Sequence, residues 1–128
     1  MKILSGALVI LLMFYISPVH GQAARATGPS PLDPVEIGAI GVFSHADSFH
    51  SMVLKRQCDP ADAGRIKSIN QRLERARKRL AARFGEKVFP AGRTYDWAAN
   101  GFCDAMTVES YGMHVTEVEQ YMIKNSIK

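Results

Sequence analysis

The stretch that decides the fold is Asp33 to Cys58, D-P-V-E-I-G-A-I-G-V-F-S-H-A-D-S-F-H-S-M-V-L-K-R-Q-C. It opens with a helix-start signal. Asp33 can accept from free backbone N–H groups, Pro34 suits the first helical position, and Glu36 is placed to complete a capping box. Val35, Ala39, Val42, Ala46, Phe49 and Val53 recur at four- and three-residue steps, with Ile40, Phe43, His50 and Leu54 as a second stripe beside them. Two adjoining apolar stripes predict a helix covered on more than one side, the central helix of a bundle. Gly38 and Gly41 weaken a helix, so they predict close approach of a neighbour.

The segment before it divides in two. Lys2 and the uncharged apolar run Ile3 to Ile16 lead to Ser17-Pro18 and small residues, the layout of a secretory signal peptide over residues 1–21. Cleavage is expected after Gly21, or as late as Ala26, where Ala24-Arg25-Ala26 forms an A-x-A. The apolar run is short for a membrane span, which needs roughly 20 residues, so no transmembrane span is expected after cleavage, with a permanent N-terminal anchor as the alternative. Residues 22–32, mixing Ala, Gly, Pro and Ser, read as a flexible leader. Residues 33–128 are then one domain, secreted or periplasmic, and mildly basic from the whole-chain net charge of +4.

Cys58 and Cys103 are the two cysteines. In an oxidising compartment they predict a single disulfide, closing a loop of about 45 residues. A redox pair or metal ligands would want the closer spacing of C-x-x-C.

After Cys58, Asp59-Pro60-Ala61-Asp62 repeats the start signal. Ile66, Ile69, Leu73, Ala76, Leu80 and Phe84 mark an amphipathic second helix closed by Gly85. Its other face carries Arg65, Lys67, Arg72, Arg75, Arg77, Lys78, Arg79 and Arg83 against Glu74 alone. Glu86 to Arg93 is a connection turning at Pro90 and Gly92. Thr94 to Met106 is predicted helical but short or broken at Asn100-Gly101. Thr107 to Lys124, with Val108, Tyr111, Val115, Val118 and Met122 in register, is the last helix, its weak point at Gly112. The reading is therefore all-α, a small four-helix bundle with one disulfide. Asp96 to Ile123 contains Asp96, Asp104, Glu109, Glu117 and Glu119 and no Lys or Arg, so the last helix is expected to pair along its edge with the basic second helix.

Catalytic chemistry finds little support. Ser44, His45, Asp47, Ser48, His50 and Ser51 lie on one helix, which scatters them around its axis and offers no free N–H groups for an oxyanion hole. A G-x-S-x-G elbow is absent. No catalytic residue and no cofactor is expected. Asp47 and His50, one turn apart, with His114 from the last helix, are the candidate ligands of a metal site. The basic face of the second helix, represented by Arg65, Arg72, Arg75, Arg79 and Arg83, is the candidate contact for an acidic protein or an anionic envelope surface. Export and the lack of interleaved aromatics argue against nucleic acid. In layout, exported, helical and single-disulfide, the chain is similar to the small acid-stress chaperones of the bacterial periplasm. That similarity implies a conditional chaperone and assigns no residue. The expectation is a non-enzymatic exported binding protein, with metal handling or chaperoning as the alternatives.

Overall fold

A computed structural model of the chain describes residues 32–128; the expected signal peptide, its cleavage site and residues 22–31 of the leader lie outside the described residues. Within them the protein is helical, with three α-helices, two short 3₁₀ turns and no strand. Helix α1 spans Pro34–Lys55, α2 Ala63–Phe84 and α3 Ala105–Lys124.

Each start signal does its local work. The Asp33 carboxylate accepts from the Val35 N–H at 2.9 Å, and Pro34 takes the first turn. Glu36 does not complete a box there; the capping box is found on α3, where Asp104 accepts from Thr107 N–H and Thr107 Oγ1 accepts from Asp104 N–H. Asp59 caps a 3₁₀ turn, Pro60–Asp62, that feeds directly into α2. Helix α2 ends at Gly85, as expected.

Helix α1 is central: it packs on α3 most extensively and also on α2 and the second 3₁₀ turn. Tyr121 near the end of α3 bonds the Val35 carbonyl at the start of α1, so these two helices run antiparallel. Asn70, Arg72 and Arg79 of α2 bond Tyr111, Glu119 and Ile127 in the same order along the chain, so α2 and α3 run parallel. The core is the sum of three stripes: Ala39, Phe43, Ala46 and Val53 from α1, Ile69, Leu73, Ala76 and Leu80 from α2, and Val108, Tyr111, Val115, Val118 and Met122 from α3. Leu54, placed in the α1 stripe by its spacing, lies beyond the core and is exposed.

The fourth helix is the main correction. Residues 85–104 form a strap along α1 instead, containing one 3₁₀ turn at Asp96–Ala99. Phe89 meets Phe43 edge-on at 5.4 Å, the Tyr95 N–H donates to the buried Ser51 hydroxyl, and Lys55 pairs with Asp96. Arg56 then donates to the Ala98 and Phe102 carbonyls at 2.7 and 2.9 Å. The Ala98 and Phe102 carbonyls, which a helix would use internally, are thus bound to the C-cap residue of α1. Phe102 and Met106, which would have to seed a buried face, point outward at 88% and 73% exposure. Without a buried face a short helix has little to sustain it.

The strap ends at the disulfide. Cys58 and Cys103 are bonded, with Cα atoms 4.8 Å apart. This links the segment after α1 to the segment before α3. No helix among the described residues is long and apolar enough to cross a membrane.

Candidate functional site

Helix α2 divides its cations by what lies beside them. Arg72 sits on the edge facing α3: its guanidinium donates to Thr116 Oγ1 at 2.8 Å and to both carboxylate oxygens of Glu119. The expected pairing of the basic and acidic helices is therefore present at this point. Arg77, assigned by sequence to the solvated face, is 7% exposed. It is held by Glu74, by Glu86 and by the Phe89 carbonyl at 2.9 Å, so it clamps the start of the strap to α2. Its hydrogen bonds hold the Glu74 carboxyl below the usual range. A buried charge needs such a full set of partners. Alternation along α2 could not reveal it, because Glu86 and Phe89 belong to the connection.

Arg65, Lys67, Arg75, Lys78, Arg79 and Arg83 are exposed and form no ion pair with a described residue. Arg79 donates to the Ile127 carbonyl, and the Arg83 guanidinium lies 5.3 Å from the Phe84 ring centre. Of the five arginines expected to bind an anion, four face solvent and Arg72 is occupied. Beside them, Arg65, Ser68, Arg72, Met113 and Thr116 line an open groove of about 310 Å³ between α2 and α3. Gly112 forms part of its wall, where an added Cβ would lie 3.3 Å from Ile69. The helix runs unbroken through this glycine.

A second polar site lies across the core. Asp47 and His50, one turn apart on α1, approach to 3.9 Å and line a cavity of about 50 Å³ with Asn70, Glu74, Arg77 and Arg93. That volume admits only a few water-sized groups. Asp47 is 6% exposed, and no described residue gives its carboxylate a hydrogen bond. Burial pushes its pKa up to about 6, with the Arg93 charge pulling the other way. Burial lowers the pKa of His50, partly opposed by Glu74. Tyr111, pushed upward by burial, donates its hydroxyl to Asn70 at 2.6 Å.

His114 does not join this pair. Among the described residues no group of three or more His, Cys, Asp or Glu side chains converges. His114 stacks on Phe49 with ring centres 4.9 Å apart, contacts His45 at 5.6 Å, and bonds Glu117 through Nδ1 at 3.0 Å. His45 is exposed, as its helical position predicts.

Comparison with known proteins finds no matching family model, no matching curated protein and no matching solved structure.

Proposed function

We propose that this is an exported, non-enzymatic binding protein that engages an anionic macromolecular or envelope surface through the solvent face of α2. The observation carrying this reading is the set of six exposed cations on one helix, Arg65, Lys67, Arg75, Lys78, Arg79 and Arg83, that have no carboxylate partner among the described residues. Internal neutralisation stops at Arg72 and Arg77, so the remaining charge is available to an outside anion. Each such cation near an anionic bilayer contributes about 1 kcal/mol, and the sum is screened by salt. Arginine also suits phosphate and carboxylate through paired N–H donors.

The test reverses Arg65, Arg75 and Arg83 to Glu and leaves Arg72 with Glu119. Binding to vesicles containing anionic phospholipid, and to an envelope extract, is measured at low and physiological salt. Wild-type binding that weakens with salt, and falls at least tenfold in the triple variant, supports the reading. Equal binding by both proteins, insensitive to salt, would remove it.

A further inference from the structure

The geometry points to a second binding site, on the α1–α3 face: His45 and His114 form a two-histidine site for a late divalent transition metal, with copper the best fit. It is independent of the basic face of α2 and uses none of its residues.

Glu117 sets the tautomer of His114. An ionised carboxylate can only accept, so its 3.0 Å bond makes Nδ1 of His114 the donor. In the neutral ring that leaves Nε2 as a free lone pair. The ring plane is held as well, because Phe49 stacks on it with 24° between planes. A carboxylate behind an imidazole, holding its tautomer and ring orientation, is the usual support of a metal-ligating histidine.

His45 supplies the second ring. It comes from the antiparallel neighbour, with its centre 5.6 Å from that of His114 and a tilt of 59°. Two imidazoles on one metal at about 2.0–2.1 Å hold their ring centres roughly 5 Å apart, close to the spacing of this pair. The tilt matters too. Rings stacked face to face could not aim two lone pairs at one point.

The ligand set indicates the metal. Imidazole suits zinc, nickel and copper, and among divalent ions copper binds a given nitrogen site most tightly. Two protein ligands leave positions open, so the site suits an exchangeable ion rather than one that holds the fold. His50 is not required. Its pairing with Asp47 belongs to the separate cavity facing α2.

The test is titration of the intact chain with Cu(II) and Zn(II) against a chromophoric chelator. It is performed in a His20→Ala background to remove the remaining histidine outside the described residues. One equivalent of copper should bind at micromolar concentration, more tightly than zinc. His45→Ala should weaken it at least tenfold while leaving helicity unchanged, and His50→Ala should have no effect. Glu117→Gln, which keeps the ring but loses the carboxylate, should weaken binding by less than His45→Ala does. Paramagnetic broadening should reach the ring protons of His45 and His114 first. Failure of the parent to retain copper, equal binding by His45→Ala, or loss of binding in His50→Ala would each overturn the assignment.

Discussion

At the scale of single residues, Asp47 is a carboxyl buried at 6% exposure. A buried carboxylate to which no described residue gives a hydrogen bond favours its neutral form, and its pKa rises to about 6 from 3.8. The native state therefore binds a proton that the unfolded chain has released. This contribution to stability is complete below about pH 4 and is lost as pH rises through 6. His50 works in the opposite sense. Its lowered pKa means that acid below the ordinary histidine range favours the unfolded chain. Asp47→Asn keeps the shape without the charge, so it should raise stability at pH 7.5 by about 1–3 kcal/mol. It should also remove the gain in stability that Asp47 contributes as pH falls from 6 to 4, leaving the opposing contribution of His50. Urea unfolding across that range decides the matter; an unchanged profile would mean that Asp47 is not the titrating group. Sequence placed Asp47 beside His50 correctly, because one helical turn is a local fact. The closing wall of Arg77 and Arg93 comes from α2 and the strap, and no spacing within α1 reports it.

At the scale of elements, patterning was most legible where one helix meets one core. The five expected positions of α3 are all buried, and the inner stripe of α2 holds from Ile69 to Leu80. It failed for residues 94–106, where local composition allows a helix but Arg56 binds the Ala98 and Phe102 carbonyls that a helix would have used. The glycines of α1 show the same division. Gly38 is needed: an added Cβ would overlap the Tyr121 hydroxyl and come within 2.7 Å of Cζ, displacing the bond to the Val35 carbonyl. Gly41 has nothing within 4 Å. Gly38→Ala should therefore cost about 1–3 kcal/mol from overpacking between α1 and α3. Gly41→Ala should stabilise by up to about 1 kcal/mol through helix propensity alone. Thermal or chemical unfolding of the two variants should move in opposite directions. The candidate anion site divides in the same way. Spacing on α2 identifies the cations, but only the packed neighbours distinguish Arg72 and Arg77 from those left free.

At the scale of the whole molecule, the two charged helices and the disulfide hold the described residues in one arrangement of three helices and a strap. Arg72 with Glu119 and Arg79 with the Ile127 carbonyl join α2 to α3 and to the residues after it. A reading limited to separate amphipathic helices would expect them to alternate in direction with short turns. Here the strap returns the chain along the bundle, so the strongest packing, α1 on α3, joins segments far apart in sequence.

The bond between Cys58 and Cys103 changes how that distance is felt during folding. It encloses α2 and the strap in a loop and leaves α1 and α3 joined almost end to start, across a separation of 45 residues that the chain need no longer search. For the oxidised polypeptide the two helices are a short helical hairpin, with everything between them carried as an insertion. Loop closure that precedes long-range contact slows a nucleus, and a covalent bridge removes most of that entropy beforehand. The oxidised protein should refold several-fold faster than the Cys58→Ser/Cys103→Ser variant and be on the order of 4 kcal/mol more stable. Stopped-flow refolding measures the rates. Equal refolding rates, with the whole difference in unfolding, would place the meeting of α1 and α3 after the rate-limiting step.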